Sequence, residues 1–396
     1  MKIVHICLCG LFGEKYAYQD NLLTKYHKKL GHEVTIIAPT MSKFTSNGGV
    51  EYEQAGVKIL DNGCKLIRAQ SKYPSEFINR HLRLYEDITQ IILDEKPDLI
   101  FAHNLSTFNN LCLLKVKKRL PNVRICFDSH MDEYNSNKNV VSKFLNGFVF
   151  RYFVVKRLLP LSDFFYGVTP SRCTFLKDVF GVPNKKISYL PMGADDDNLY
   201  MEGRQNLRKE VRQKYNISDD DFLIVTGGKI DKVKHIDLLA KAVSEIDNRK
   251  VKILLFGSIV DDLKPIIENL LSERVIYVGW INSSDVYKYF YAADLTMFPG
   301  LHSAMWEQAA AARCPMAVTR LKGFEHVNFN DNCLFLDGCT VAYYKNFIEN
   351  LAKNTSRYKL LKENADNDKA NMFLYSTIAQ RVVDDLIKNS IHKQCE

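Results

Sequence analysis

Several signals are missing from this chain of 396 residues, and each gap removes a class of function. No apolar run approaches the roughly 18 residues that a membrane-spanning helix needs, so no transmembrane segment is expected. The N-terminal "MKIVHICLCGLFG" is apolar, but it alternates like a strand and passes at once into "EKYAYQD". It is not read as a signal peptide, and the expected location is cytoplasmic. Ten cysteines are scattered along the chain without a single Cys-x-x-Cys pair. Several sit inside apolar runs, where a thiol behaves as a small hydrophobe, so a metal site is not expected. Neither the P-loop pattern Gly-x4-Gly-Lys-Ser/Thr nor Gly-x-Gly-x-x-Gly occurs. The charge excess is only +8, it is dispersed, and no basic stripe interleaved with aromatics stands out, so nucleic acid is not an expected partner.

One absence is local. "VVSKFLNGFVFRYFVVKRLLPL", Val140 to Leu161, contains no acid and mixes Phe, Val and Leu with Lys143, Arg151, Lys156 and Arg157. Such a segment suits the surface of an anionic membrane, at the inner face of the cell membrane. It equally suits a core helix whose basic residues face water.

What is present is an alternation of short β-branched runs with longer helical patterns, the mark of parallel α/β sheets. The first half offers "KIVHICL" (2–8), "EVTIIAP" (33–39), "DLIFAH" (98–103), "RICFDSH" (124–130), "FFYGVTP" (164–170) and "KISYLPMG" (186–193). A charge-dense piece, 201–221, then leads into "FLIVTGG" (222–228), "KILLFGS" (252–258), "VIYVGW" (275–280), "LTMFPG" (295–300), "MAVTR" (316–320) and "CLFLDG" (333–338). Two doubly wound, Rossmann-like domains are expected, 1–199 and 200–375, followed by a helix over 376–396. Open α/β sheets bind ligands at the carboxyl ends of their strands, so the residues just past each strand are the candidates.

After "FLIVT" comes "GGKIDKVKHIDLLAKAV". Gly227 and Gly228 let a ligand approach the backbone, Lys229 and Lys234 supply positive charge, and a helix starts near His235 or Ile236. Together they suit a phosphate group, although solvated lysines on a turn would look the same. In "FPGLHSAMWEQAAAARCP" (298–315) a run of small helix formers opens with His302, Ser303, Trp306 and Glu307.

The pattern resembles the GT-B glycosyltransferases of retaining family four. In that family a Gly-Arg/Lys pair, followed five residues later by Lys, grips the donor diphosphate; Lys229 and Lys234 take those places. "WEQAAAARCP" resembles the second half of the family's Glu-x7-Glu motif, which implies that Glu307 binds the ribose hydroxyls. "KLGHEVTIIAP", "KPDLIFAHN", "YLPMGAD" and "VGWINSSDVYKYFYAADLTMFPG" are similar to further family phrases in family order, so the likeness runs along the whole chain. It implies a last helix that crosses back onto the N-terminal domain.

The first Glu of the motif is absent, Pro299 standing in its place, and the loop is about four residues short of the usual form. His302 and Ser303 are the polar groups offered instead, toward the β-phosphate or sugar. "FDSHMDEYNS" puts Asp128, His130 and Asp132 just past a strand; His130 resembles the family histidine near the reacting sugar carbon, and His103 is a second candidate. Gly13, Tyr16, Tyr18 and Gln19, in the first loop, form the expected acceptor wall with His103 and Asp132. "ADDD" (194–197) and "SDDD" (218–221) are read as turn acids, not metal ligands.

The implied activity is a retaining, metal-independent and cofactor-free transfer of a sugar from a nucleotide-diphosphate-sugar donor to a saccharide or lipid-linked acceptor. Capsule or lipopolysaccharide assembly is the implied setting. The alternatives are a nucleotide-sugar epimerase of the same architecture, with Asp132 and Glu133 as its acid/base candidates, and a catalytically silent relative that binds a glycan or a partner.

Overall fold

The computed structural model describes residues 1–45, 49–73, 75 and 83–394, with side chains as far as residue 388. The chain divides into two compact units, Met1–Pro191 with Tyr375–Glu396, and Met192–Leu374.

The first unit is built on β1 (Lys2–Ile6), β2 (Glu33–Pro39), β3 (Met41–Phe44), β4 (Val50–Tyr52), β5 (Gly56–Ile59), β6 (Lys65–Ala69), β7 (Leu99–Ala102), β8 (Arg124–Ser129), β9 (Phe164–Gly167) and β10 (Ile187–Tyr189). Eight of these form one sheet in the order β10-β9-β8-β7-β1-β2-β6-β5. All its pairs are parallel except β5 with β6. β3 and β4 make a separate antiparallel hairpin. The central strands are buried on both faces, as continuous apolar runs such as "LIFA" require when helices cover both sides. On one face lie Val4, Ile6, Ile100, Ile125 and Phe127 with Leu113, Val116 and Phe175. On the other, Ile3, Leu99 and Phe101 pack with Leu22, Leu23 and Tyr26 of helix Gln19–Lys29 and with Ile378, Ala379 and Val382 of the terminal helix Tyr375–Gln394. The backbone carbonyl of Leu386 accepts from Arg124, and Tyr166 donates to Asp385, so this helix is stitched to the first unit.

The second unit is built on β11 (Phe222–Gly227), β12 (Val251–Phe256), β13 (Val275–Tyr277), β14 (Leu295–Phe298), β15 (Met316–Thr319) and β16 (Cys333–Leu336). They form an all-parallel sheet in the order β13-β12-β11-β14-β15-β16. The unit begins at Met192, eight residues before the expected boundary. The reason is that Ala194 bridges Leu374 and the Asp195 N–H donates to the Tyr287 hydroxyl. The charge-dense piece after residue 200 is not a linker. It contains helix Arg204–Lys214, whose Arg208 and Arg212 reach the carbonyl of Ala292 and pair with Asp294 at 2.7 and 3.2 Å. Buried arginine here satisfies backbone oxygens that would otherwise be stranded at the end of a helix. Asp195 and Asp221 accept hydrogen bonds from the backbone N–H groups of Asp197 and Ser218, as turn acids do.

Candidate active site

β11 and β14 are neighbours in the second sheet, so the loops that follow them adjoin. The contact is backbone to backbone. A Cβ at Gly300 would lie 2.3 Å from the Lys234 Cα, and the Leu301 N–H donates to the Val233 carbonyl at 3.2 Å. Only glycine fits that crossing. Gly227 is equally confined, since a Cβ there would lie 2.4 Å from the Phe256 ring, and Gly228 takes φ +106°, which side chains disfavour. Lys232–Lys234 is one 3-10 turn, His235 has φ 53°, and helix Ile236–Glu245 begins directly after it.

The two lysines therefore differ. Lys229 holds its ammonium in solvent, 66% exposed, with Asp231 only at 3.9 Å. Lys234 is largely enclosed, and donates to the carbonyls of Leu301 and, at 3.3 Å, His302. Burial lowers its pKa. Gly227, Lys234, Gly300 and Ser303 line a cavity of about 10 Å³, the room one water needs. The structure thus brings together Gly227, Gly228, Lys229, Lys234 and Ser303 on two touching loops.

Glu307 and His302 go elsewhere. The Glu307 carboxylate has no exposed surface, and its Oε1 accepts from the Nε2 of His302 and of His326, each at 2.8 Å. Burial pushes the carboxyl up, but the two imidazoles outweigh it and hold it well below the usual range. Glu307, expected at the ribose hydroxyls, thus turns its carboxylate to two imidazoles, and the His302 ring, expected beside the sugar, is 3% exposed. One residue along a helix turns the side chain by about 100°; the half-buried polar group on Met305–Ala311 is Gln308. Among the described residues, His302, Glu307 and His326 are one group able to hold a metal ion. Their 2.8 Å separations are those of hydrogen bonds. His326 lies 19 residues beyond Glu307, and no spacing in the sequence pointed to it.

In the first unit His130 follows β8. Its ring is 35% exposed and stands 3.7 Å from Asp128, while its carbonyl accepts from the Asn135 amide at 2.7 Å. The Tyr16 and Tyr18 rings meet tilted, with centroids 5.1 Å apart, and Tyr18 is well exposed. Gly13 shapes this loop: a Cβ would meet the Tyr16 ring at 2.5 Å, and its carbonyl accepts from Asn21. Three members of the expected acceptor wall are buried. Gln19 turns inward, its amide 3.4 Å from Asp128. Asp132 is held by Arg172 at 3.1 Å and by the Asn135 backbone N–H at 2.8 Å. His103 is bound on both ring nitrogens, by Asp128 at 2.7 Å and His5 at 3.1 Å. Glu133, the other acid/base candidate, accepts from Asn137.

Two family models match in succession, glycosyltransferase family 4 over residues 21–198 and glycosyl transferases group 1 over residues 208–368. An uncharacterised glycosyltransferase of Methanocaldococcus jannaschii is 24% identical over 162 residues, which are 38% of this chain and 40% of that protein. A protein from the cps region of Klebsiella pneumoniae is 25% identical over 108 residues, 27% of this chain and 28% of its own. The matches span less than half the length of these curated relatives. Among solved structures, sucrose-phosphate synthase of Thermosynechococcus elongatus superposes with a TM-score of 0.70 at 15% identity, covering 99% of this chain and 100% of that one. Anabaena HepE in complex with UDP and glucose gives 0.67 at 13% identity, covering 98% and 99%. At such identities these two speak for the fold, which is the two-domain, Rossmann-like GT-B fold. The two successive family models together take in most of the chain, and it belongs to the group 1 GT-B glycosyltransferases.

Proposed function

We propose that this chain transfers a sugar from a nucleotide-diphosphate-sugar donor to a saccharide or lipid-linked acceptor, with retention and without a metal. The observation that carries the reading is the pair of touching loops at the ends of β11 and β14. Glycines let the two loops pack closely there, one lysine extends into solvent and a second is fixed by the loop it faces. As the bond from the sugar carbon to the diphosphate breaks, charge develops on the leaving oxygens. Lys229 and Lys234 would neutralise it at a site already organised before the donor arrives. In this reading the acceptor oxygen bonds the sugar carbon on the face that the diphosphate leaves and gives its proton to the departing phosphate oxygen; His130 is the residue assigned to the reacting carbon, and Tyr16 and Tyr18 to the acceptor wall.

We place the reaction in cell-surface polysaccharide assembly, at the inner face of the cell membrane. The cps-region relative supports that setting, and so does the segment Val140–Leu161. Val140, Val141, Phe144, Phe148, Tyr152 and Phe153 are all exposed, between 45% and 82%, amid the basic side chains. A contiguous apolar surface rimmed with cations suits an anionic lipid headgroup layer. The buried Glu307 favours a second reading, a relative that binds a glycan without turnover. Isothermal titration with a panel of nucleotide-sugars, followed by mass spectrometry of acceptor products, tests both. Donor binding with a glycosylated product is expected; donor binding without product supports the silent relative, and no nucleotide binding sinks the transferase.

A further inference from the structure

Three histidines run in line through the first unit. His27 Nε2 meets the Ala379 carbonyl of the terminal helix at 3.2 Å, and its Nδ1 meets His5 Nε2 at 3.0 Å. His5 Nδ1 meets His103 Nε2 at 3.1 Å, and His103 Nδ1 meets Asp128 Oδ2 at 2.7 Å. All three are buried. The rings of His5 and His103 are nearly parallel, with planes 20° apart.

The protons in this row can be counted. A carbonyl oxygen and a carboxylate only accept, so each end needs an N–H from the ring it touches. Each of the two contacts between rings needs one proton as well. The row therefore requires four protons, while three neutral imidazoles carry three. If every ring is neutral, one contact sets acceptor against acceptor among buried groups.

We propose that His27, His5 and His103 are a relay that permanently holds one extra proton, that its charge rests on His103, and that this charge fixes Asp128 as a carboxylate. Only His103 touches an anion, so the charge is compensated there and nowhere else along the row. The wider surroundings agree. Asp20, Asp128 and His130 face the His103 end, while the His27 end faces His32 and, beyond it, the N-terminal amine. Cys7 adds no counter-charge, since burial pushes its thiol well up. Burial, with the other rings beside it, pushes His5 well below the ordinary imidazole range, and burial brings His27 down to about 3. Burial works against charge on His103 too, but Asp128 outweighs it and raises that ring.

The consequence is a division of labour. A carboxylate tied to an imidazolium is a poor base. Asp128 instead accepts the Asn104 N–H at 2.7 Å and stands beneath His130, so it positions these groups and does not take a proton. His5, His27 and His103 are positioning residues that act through it. The charge state stands whatever the chain catalyses; only its bearing on His130 rests on the proposed transfer.

Full-length protein labelled with 15N-histidine, followed by long-range 1H–15N correlation from pH 6 to 9, reads the relay directly. His5→Gln, His27→Gln and His103→Gln assign the signals. The expected spectrum shows His103 protonated on both nitrogens throughout, with His5 and His27 carrying hydrogen on Nε2 alone. Three neutral rings at pH 7.5, or a His103 midpoint near 6.5, would overturn the proposal. In His27→Leu the carbonyl no longer demands a proton, two rings need only two, and the His103 midpoint should fall by at least one pH unit. An unchanged midpoint also overturns it. Should His27→Leu fail to fold, the unmodified protein's spectra decide. A charged His103 in a chain without transferase activity leaves the relay standing and removes the proposed function instead.

Discussion

Asp128 and Glu307 are both buried carboxylates near the carboxyl edge of a parallel sheet, and both meet imidazoles at 2.7 to 2.8 Å. They differ in what stands behind the rings. Asp128 has its histidines in series, ending on a carbonyl that also needs a proton. Glu307 has two in parallel, converging on a single oxygen. In parallel, one proton on each Nε2 satisfies both contacts to Glu307. In series, the count comes out one proton short. The same residue types thus make a convergent brace in one unit and a row in the other, by connectivity alone.

The brace is the easier of the two to break. Glu307→Ala should leave two buried Nε2–H donors and a cavity beside Trp306, at a cost of about 3 to 5 kcal/mol. Glu307→Gln keeps an acceptor oxygen and should lose much less. Chemical denaturation of the full chain reads both. A loss below about 1 kcal/mol for the alanine variant would mean that the cluster is not holding the loop.

The next effect lies at the lysines. Lys234→Ala removes the clamp on the Leu301 and His302 carbonyls and, in the proposed transfer, one charge at the leaving group, and should lower kcat/KM by about 100-fold or more. Lys229→Arg keeps an exposed cation and should retain most of the activity. Turnover of Lys234→Ala within about twofold of the unmodified enzyme would remove it from the donor site.

The pH dependence of stability separates the two carboxylates further. His27 is depressed to about 3 from an unfolded value of about 6.5. Its contribution is therefore present above about pH 6.5 and lost as the pH falls toward 3. His103 is raised, so its contribution is full below about pH 6.5 and is lost as the pH rises through its folded value. Between pH 6 and 4 the slope of unfolding free energy against pH should be shallower in His27→Leu by close to one proton. Equal slopes would mean that His27 is already charged in the folded chain.

These contrasts follow what the sequence could and could not reveal. The six strands of the second sheet were legible because each is a short β-branched or apolar run, and the Gly-Lys loop because its parts lie within eight residues. β5 and β6 were not. β5 is exposed at every position, and β6 carries Arg68, buried against the carbonyls of Phe12 and Pro39. A buried arginine looks like a surface residue until its acceptors are known. The relay was hidden for a topological reason. His5 and His103 stand 98 residues apart, and meet because β1 pairs with β7, with His5 opposite Phe101. Glu307 reads in the sequence as an acid at a helix opening, and only its contacts with His302 and His326 show that it is buried while Gln308 beside it is half-exposed.

The smallest expected effect concerns the segment Val140–Leu161, where neither carboxylate takes part. Lys156 and Arg157 are exposed, and their charged groups lie 5.7 and 6.0 Å from the Tyr152 and Phe153 rings. A basic side chain near an anionic bilayer contributes about 1 kcal/mol, falling away within a Debye length. Lys156→Glu with Arg157→Glu should therefore weaken binding to phosphatidylglycerol vesicles by tenfold or more, with turnover of a soluble acceptor unchanged. High salt should erase the difference, because it screens the charge and leaves the aromatic contacts. Phe148→Ser should behave the opposite way, weakening binding at all salt concentrations, since apolar burial is not screened. If vesicles bind neither the unmodified chain nor the variants, the exposed aromatics belong to another surface, and a water-soluble acceptor becomes the one to seek.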